Sequence, residues 1–345
     1  MTDTLHLLSD YYPRAFPDRS GAAIHDVIDL NTGWESEVHS FSVDWVQDGL
    51  PCSEDLILRI YPGQDAFSKA KKEYEALELL HRAGYPVPRV DRLELDPAPF
   101  GKPFLIMERI HGQPMWKPMF HGSWFKQHAL RVKFCSLFSR LHTLDWRALV
   151  PDPEKHMPSA PNRLVEEYLL RLKPLIQAVP IPGFQTNWDW LDANCKDVPS
   201  AGPVLVHWDF HPENILLKEN GEAVVIDWTG LELTDYRFDL AWTLLLLSAA
   251  EGSRHREPLL REYERQAGHR VQDMEVFDTF ACLRRLFSII VSLKYGADKL
   301  GMRPGAEAIM RRQAPAARRV YERLLTLTDL TIPEVEQFLN SSEAS

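Results

Sequence analysis

The segment that most constrains the fold is the octapeptide HWDFHPEN at residues 207–214. Short runs rich in Val, Leu and Ile precede and follow it, as strands of a partly buried sheet do. Asn220-Gly221, between the last two runs, is a strong signal for a hairpin turn. The sequence therefore predicts a hairpin that begins directly after Asn214 and ends at Asp227, which brings these two residues side by side. The predicted strands are residues 203–206, 215–217 and 223–226.

The residue types at these positions suit phosphoryl transfer. Asp209 can accept a hydroxyl proton, and Asn214 and Asp227 offer the hard oxygen ligands that Mg²⁺ prefers. Their order and spacing follow the kinase pattern H-x-D-x-x-x-x-N with a later metal-binding Asp. The alternative is a chance match, with His207 a buried structural histidine and Asp227 a carboxylate facing water. Four residue types at fixed spacing, placed between predicted strands and a turn, favour the catalytic interpretation.

In these residues the chain resembles the aminoglycoside phosphotransferase and choline kinase-like family, small-molecule kinases with the protein-kinase fold. Asp227-Trp228 in place of Asp-Phe-Gly is typical of that family, and so is His211 two residues after the candidate base. Trp208 and Glu213 depart from it, because they fill positions that are often Gly. Neither departure removes the base or a metal ligand, so both bear on the subfamily rather than on the reaction.

The resemblance implies an α+β, two-lobed protein-kinase-like fold. We expect residues 1–111 to form the N-lobe, a phosphate-covering sheet with one helix. Residues 112–345 would form the C-lobe with the catalytic loop, the metal site and a helical acceptor region. A chain of 345 residues is long enough for two such lobes. The N-lobe pattern agrees, with predicted strands at 41–46, 55–61, 89–95 and 104–107 and a helix at 64–83.

The resemblance also implies residues that bind the nucleotide phosphates. In that fold a cation on the third strand binds the α- and β-phosphates and pairs with a helix glutamate. The matching residues here are Arg59 and Glu73, and Arg in place of Lys keeps the charge and can bind phosphate oxygens in a bidentate way. The alternative is an exposed strand arginine and a solvated helix acid. Gly33 begins the candidate phosphate-covering loop at residues 33–38, which lacks the G-x-G-x-x-G pattern. Residues 33–36 would border the phosphates, and the alternative is that they form an ordinary turn.

A connection between the lobes is expected at residues 107–112. In the family, backbone groups of this segment bind the adenine edge. Carried over by position, these groups are the carbonyl of Glu108 and the amide of Ile110. A strand that simply ends in a turn at Gly112 is the alternative. The position of the segment, midway between Arg59 and the catalytic loop, favours the hinge interpretation.

The C-terminal part is predicted to be mostly helical. An apolar stripe over residues 130–144 indicates a core-facing helix that ends at His142. The Pro- and Trp-rich stretch 146–202 is expected to contain one helix, at 162–177, with loops elsewhere. Residues 256–341 contain several more amphipathic patterns, for example at 277–293. These helices would complete the large lobe and border the acceptor site.

One further acidic residue follows the metal-binding position. Asp239 begins an apolar segment, where a carboxylate can cap the free amides of a helix. In the family an acid at this point holds the catalytic-loop backbone. The resemblance therefore implies an architectural role for Asp239, with a plain helix cap as the alternative.

Composition excludes several other classes of protein. A net charge of −10 argues against a general nucleic-acid binder. The four cysteines form no C-x-x-C pair, so a disulfide framework or zinc site is not expected. The longest apolar run, 240–250, is too short to cross a bilayer. The N-terminus lacks the basic start and apolar run of a signal peptide, and a cytoplasmic location is expected.

The expected reaction is transfer of the γ-phosphoryl group of ATP to a hydroxyl of a small molecule, with Mg²⁺ as cofactor. Asp209 would orient the hydroxyl and take its proton, and His211 would touch the moving phosphoryl group or bond to backbone. GTP in place of ATP stays open, as does the oligomeric state. The acceptor could be an aminoglycoside, an amino alcohol or another metabolite. Glu232 and Asp235 would suit a cationic acceptor, and the alternative is that both are ordinary loop charges.

Two other classes of function stay open at this stage. The first is a catalytically inactive nucleotide-binding regulatory protein with the same fold. Arg59 and the glycine-poor loop suggest it, while the intact Asp209, Asn214 and Asp227 argue against it. The second is a protein kinase, which the missing Ala-Pro-Glu segment disfavours.

Overall fold

A computed structural model describes residues 2–30, 36–157, 160, 163–296 and 312–343. The chain divides into two compact units. The first contains residues 1–113 and 215–229, and the second contains residues 114–214 and 230–345.

The sequence predicted a single boundary after residue 111. The structure differs because the predicted hairpin belongs to the first unit. The amide of Val225 donates a hydrogen bond to the carbonyl of Pro86 at 2.8 Å. The ring of Trp228 packs edge-on against Tyr85, with 5.6 Å between the ring centroids. Trp228 is fully buried and belongs to the core.

A five-stranded antiparallel sheet forms most of the first unit, with strand order β1-β2-β3-β5-β4. The second and third strands pair without a break from Glu37 opposite Ile60 to Gln47 opposite Leu50. Asp48-Gly49 joins them with positive φ at both residues, as a type I′ turn requires. The strands are β1 (Ser20–Asp29), β2 (Glu37–Gln47), β3 (Leu50–Ile60), β4 (Val90–Glu94) and β5 (Phe104–Glu108).

Two helices pack in this unit, where one was predicted. Helix α2 (Ala66–Arg82) confirms the predicted helix. Helix α1 (Thr2–Ala15) was not predicted, and its Leu8 and Tyr12 are fully buried in the core formed with strand residues such as Phe41. The expectation of a single helix was therefore wrong.

The predicted hairpin is present in the first unit. Strand β8 (Ile215–Leu217) pairs with β9 (Ala223–Val225), and Ile215 lies opposite Val225. The amide of Lys218 donates to the carbonyl of Glu222 at 2.9 Å, so residues 219–221 form the loop. This loop is longer than a two-residue turn. Gly221 takes the left-handed position of the loop, with φ of +83°.

The second unit is mainly helical. The helices predicted at 130–142, 162–177 and 277–293 are present. The stretch 146–202 also contains a helix at residues 185–194, where a loop was expected. A two-stranded antiparallel ladder pairs β7 (Val204–Val206) with β10 (Glu232–Thr234). Among the residues that the structure describes, the helices are α3 (Trp116–His121), α4 (Trp124–His142), α5 (Arg163–Ala178), α6 (Gln185–Asn194), α7 (Tyr236–Glu251), α8 (Arg256–Ala267), α9 (Met274–Tyr295), α10 (Ala314–Thr328) and α11 (Pro333–Glu343).

The described residues also form a short strand and several 3₁₀ turns. A two-residue strand, β6, spans Gln113–Pro114, and 3₁₀ turns lie at Trp146–Ala148, Pro153–His156, Pro182–Phe184, Pro212–Asn214 and Ser253–His255. A buried apolar cluster of the second unit is built around α7, α9 and α10. Across the described residues, none of the helices combines the length and the apolar character that a bilayer crossing requires.

Candidate active-site residues

Asp239 holds the start of the catalytic loop. Helix α7 is capped by Asp235, whose side chain accepts from the amide of Arg237, so Asp239 lies one turn inside the helix. Its fully buried carboxylate accepts hydrogen bonds from the amides of His207, at 2.7 Å, and Trp208, at 2.9 Å. The plain helix cap was therefore the wrong alternative, and the architectural role predicted for Asp239 is confirmed.

A histidine from α4 completes this arrangement. His142 lies with Nε2 3.3 Å from Asp239 Oδ2 and Nδ1 2.7 Å from the hydroxyl of Tyr263. The simplest assignment has the tyrosine hydroxyl donating to Nδ1 and the Nε2 proton donating to the carboxylate. His142 is buried and ends α4 as predicted, and it is a structural residue.

The same face of α7 holds the next two loop residues. Trp242 Nε1 donates to Asp209 Oδ1 at 3.3 Å, and Thr243 Oγ1 donates to the carbonyl of Phe210 at 2.8 Å. Asp239, Trp242 and Thr243 are spaced i, i+3 and i+4, so they lie on one side of the helix. One helix face therefore binds four consecutive residues, 207–210.

Asp209 is held at both carboxylate oxygens but stays accessible. Its second oxygen, Oδ2, lies 3.2 Å from His211 Nε2, and 49% of its side chain is exposed. Burial raises the pKa of Asp209, but the hydrogen bond and charge of His211, the charge of His207 and the Trp242 N–H outweigh it and hold this pKa well below its usual range. The carboxylate is therefore fixed in its ionised form and can orient a hydroxyl.

Asn214 is oriented from inside the catalytic loop. Its Nδ2 donates to the carbonyl of Asp209 at 3.0 Å, which fixes which end of the amide is the oxygen. Among the described residues, no hydrogen bond uses Asn214 Oδ1. An oriented amide oxygen is the kind of ligand that Mg²⁺ takes, so Asn214 fits the predicted metal-binding role.

Trp208 adopts a conformation that is rare for a bulky residue. Its φ is +67°, a region that favours glycine, and the sequence analysis noted that this position is often Gly in the family. The indole is held by a 2.9 Å hydrogen bond from Nε1 to Glu232 and by stacking on Tyr168, with 4.7 Å between centroids. These contacts of the indole, together with the hydrogen bond from the Trp208 amide to Asp239, stabilise the unusual backbone conformation.

The first unit contains a buried cluster of charges around Glu73. Arg59 Nη1 lies 2.8 Å from Glu73 Oε1, and Arg59 Nη2 lies 2.8 Å from Asp227 Oδ1. The other Glu73 oxygen accepts from the hydroxyl of Tyr61, and Oε1 also accepts from the amide of Trp228 at 3.3 Å. The predicted pairing of Arg59 with Glu73 is therefore present, and the exposed alternative is wrong, because their side chains are 11% and 2% exposed.

Burial dominates the electrostatics of this cluster. Burial raises the pKa of Glu73, and the opposing charge of Arg59 only partly offsets it. Burial lowers the pKa of Arg59, but the charges of Asp227 and Glu73 raise it well above its usual value. The guanidinium thus stays charged between two carboxylates.

Asp227 contacts Arg59 and is also accessible enough to bind a metal cation. It follows β9 with φ of +67°, and 38% of its side chain is exposed. Thr229 Oγ1 lies 3.4 Å from Oδ1, the oxygen that also contacts Arg59. An accessible carboxylate at the end of a strand is a suitable Mg²⁺ ligand.

The predicted adenine-binding segment follows β5. Glu108 ends this strand opposite Leu56, and its side chain accepts from the amide of Arg89 at 3.2 Å. The amide of Arg109 donates to the carbonyl of Asp55 at 3.0 Å. Within the described part of the chain, the amide of Ile110 makes no backbone hydrogen bond. Gly33 falls outside the described residues.

Sequence reasoning missed two residues of this arrangement. Trp242 is buried, and its N–H binds the candidate base. Thr243 was not considered. The available signal was the pattern D-x-x-W-T on a helix that starts with Asp239, because these spacings place all three side chains on one face.

A family model described as "Phosphotransferase enzyme family" matches residues 36–275. A curated protein, acyl-CoA dehydrogenase family member 10 of Mus musculus, is 26% identical over 196 residues, which is 55% of this chain. The match spans only 18% of that relative's length.

Solved structures share the fold. One is assigned as an aminoglycoside phosphotransferase from Ralstonia eutropha JMP134, with a TM-score of 0.64, 18% identity and 98% of both chains covered. A GDP and kanamycin complex of APH(2″)-IIIa has a TM-score of 0.58 and 17% identity over 94% of this chain and 99% of that one. A complex of the aminoglycoside phosphotransferase APH(4)-Ia with ADP and hygromycin B has a TM-score of 0.56 and 18% identity over 90% and 97%. These similarities confirm the predicted α+β fold class.

Proposed function

Since the chain belongs to the phosphotransferase enzyme family, we propose that it transfers the γ-phosphoryl group of ATP to a hydroxyl group of a small molecule. The acceptor oxygen forms a bond to the γ-phosphorus as the bond to the β,γ-bridging oxygen breaks. The electron pair leaves with ADP, and the hydroxyl proton passes to Asp209. The transition state of such transfers is loose, so alignment and charge neutralisation supply most of the catalysis.

The single observation that carries this proposal is the state of Asp209. Its two oxygens are fixed by Trp242 and His211, its pKa is held low, and half of its side chain is open. A weak base suits late proton transfer, because its task is to aim the hydroxyl rather than to remove the proton first. His211 contacts the carboxylate directly, so we assign it as the residue that positions Asp209.

Most of the residues that we propose to bind the nucleotide and its Mg²⁺ belong to the first unit, and Asn214 belongs to the second. Arg59, held by Glu73, contacts the α- and β-phosphates, and Asn214 and Asp227 are the protein ligands of Mg²⁺. When bound, Mg²⁺ neutralises phosphate charge. The backbone of Glu108 and Ile110 is proposed to bind the adenine edge, and Gly33 is proposed to border the phosphates. ATP is the proposed donor, and GTP is the competing one, because related structures hold ADP in one case and GDP in another.

The proposal includes a cytoplasmic location, where ATP is abundant. The inactive regulatory alternative is not favoured, because the base and both proposed metal ligands are present. It predicts nucleotide binding without turnover of any acceptor.

The test is turnover on a panel of small hydroxyl compounds with Mg²⁺-ATP, measured as ADP release and as phosphorylated product by mass spectrometry. Asp209→Ala should lower the rate by about 100- to 10,000-fold, the usual contribution of a positioned base. Asp197→Ala, which removes an exposed carboxylate in the same unit, is the matched control and should keep full activity. A near-normal rate in folded Asp209→Ala would contradict the assignment.

A further inference from the structure

Two adjacent arginines of α9 lie near the candidate base in the second unit. The guanidinium carbon of Arg284 lies 4.1 Å from the ring centroid of Trp242 and 5.1 Å from that of Trp208. Trp242 binds Asp209 through the edge of the same indole. A single aromatic ring therefore separates the positive charge of Arg284 from the catalytic carboxylate.

Neither arginine has a carboxylate partner within the part of the chain that the structure describes. Nη1 of Arg284 is buried and has no hydrogen-bond partner there. Arg285 donates from Nη2 to the neutral amide of Gln313 at 2.5 Å. Burial lowers the pKa of Arg285. The negative charge of Asp209 partly offsets this effect, and the positive charge of Arg284 adds to it. A cation buried without an anion is costly, so an anion that enters here is stabilised.

The nearby carboxylates are already engaged. Glu232 accepts from Trp208 Nε1 at 2.9 Å and pairs with Arg171. Asp235 is fully buried and pairs with Arg237 at 2.8 Å. The two residues that would suit a cationic acceptor are thus neutralised by arginines. The arginines of α9 form no ion pair with a described residue, and the carboxylate whose charge acts on Arg285 is the candidate base Asp209 itself.

Resting on the proposed function, we propose that the acceptor carries an anionic group, a carboxylate or a phosphate monoester, which Arg284 and Arg285 bind while Asp209 binds its hydroxyl. Guanidinium groups match the geometry of both kinds of anion. The acceptor class is then a hydroxy acid or a hydroxyalkyl phosphate, in contrast to a cationic aminoglycoside or amino alcohol.

The first test is direct binding to the full chain, without nucleotide, by calorimetry. The probes are 3-hydroxybutyrate and glycerol 3-phosphate, with 3-aminobutan-1-ol and butane-1,3-diol as cationic and neutral counterparts. We expect binding of at least one anion and weaker or no binding of the counterparts. The preferred anion identifies the source of the negative charge. Binding of the amino alcohol or diol at least as tightly as both anions would overturn the inference, and so would the absence of anion binding.

The second test removes the charge. Arg284→Gln and Arg285→Gln should each weaken binding of the preferred anion by about 10- to 100-fold, the usual cost of one charged hydrogen bond. The same change at an exposed position, Arg261→Gln, should leave it unchanged. Arg284→Lys should recover part of the affinity, because it restores the charge without the planar group. Unchanged anion affinity in both glutamine variants would overturn the inference.

Turnover separates this inference from the proposed function. Anion binding that depends on Arg284, in a protein that neither binds nor consumes ATP, would leave the anion site standing and refute the phosphotransfer. Phosphorylation of amino alcohols or diols with no anion binding would confirm the phosphotransfer and refute the anionic acceptor. For an active enzyme, Arg284→Gln should raise KM for the acceptor and leave KM for ATP unchanged.

Discussion

The cluster around Glu73 in the first unit and the frame around Asp239 in the second, that is, the face of α7 that binds the catalytic loop, each hold a different candidate functional residue, but by different means. In the first, side chains hold one another: Arg59 binds the carboxylates of Glu73 and Asp227. In the second, one helix face binds backbone, because Asp239 and Thr243 hold main-chain groups of the loop. The first cluster is ionic and comes from segments far apart in sequence, whereas the second depends on one helix.

The difference indicates how each region should respond to mutation. A cluster of side chains can tolerate a conservative change, since another cation can replace Arg59 in part. The backbone frame cannot tolerate such a change, because the main-chain amides that it binds cannot be moved or replaced. Four changes test this contrast, from the largest expected effect to the smallest.

Asp239→Ala should give the largest loss of stability. It leaves the buried amides of His207 and Trp208 without an acceptor, and His142 loses its carboxylate contact. At about 1–3 kcal/mol for each unsatisfied buried group, the expected loss is about 4 kcal/mol in the free energy of unfolding. Urea unfolding measures it, with Asp197→Ala as the exposed control. A loss equal to that of the control would mean that the loop is held by other contacts.

Arg59→Ala should be the next largest, about 3 kcal/mol, because it removes the cation between two carboxylates, one of them buried. Arg59→Lys should lose clearly less, since an ammonium keeps the charge but cannot bridge both acids in the same fork. The measurement is urea unfolding of both variants beside Arg82→Ala on the surface of α2. Equal losses for the lysine and alanine variants would break the contrast, because side-chain pairing would then be as intolerant as the backbone frame.

His211→Ala should shift the ionisation of Asp209. In the native protein burial raises the pKa of Asp209, and His211 is the main group that lowers it. Without His211 the pKa should rise, so the carboxylate would begin to protonate at a higher pH than in the native protein. The ¹³C shift of the Asp209 carboxyl, assigned with Asp209→Asn, measures this directly. His128→Ala on the surface is the control, and an unchanged pKa in His211→Ala would refute the positioning role.

Thr243→Val should have the smallest effect. It removes a single neutral hydrogen bond to the carbonyl of Phe210 with little change of shape, at about 1 kcal/mol. The matched control is Thr326→Val, since Thr326 makes a similar bond to the carbonyl of Glu322 at an exposed position of α10. Urea unfolding should show a larger loss for Thr243→Val than for the control, and no difference would remove this residue from the frame.

The sequence predicted those parts of the molecule that depend on local spacing. The hairpin followed from two apolar runs around Asn220-Gly221, and α2 and α4 followed from apolar positions three and four residues apart. Strand β1 was missed because its bulges and the positive φ at Asp26 interrupt the alternation that identifies a strand. Helix α1 was missed because residues such as Tyr12 are buried against a sheet whose strands come later in the sequence.

Contacts between distant segments were predictable only through the family resemblance. The pairing of Arg59 with Glu73 and the role of Asp239 were expected in this way, and both are present. The Trp242 contact with Asp209 and the arginines of α9 were not expected, because they depend on how α7 and α9 are rotated about their axes. Nothing in the local sequence sets that rotation, which follows from the packing of the whole apolar core.

The most direct test of the central claim is calorimetric titration of ATP into the protein, with and without Mg²⁺, for the native chain, Asp227→Ala and Asp209→Ala. We predict Mg²⁺-dependent binding in the native chain, its loss in Asp227→Ala and its retention in Asp209→Ala, because only the first change removes a proposed metal ligand. Repeating it with GTP identifies the donor. Absence of binding of either nucleotide to the folded native chain, or unchanged binding in Asp227→Ala, would contradict the account.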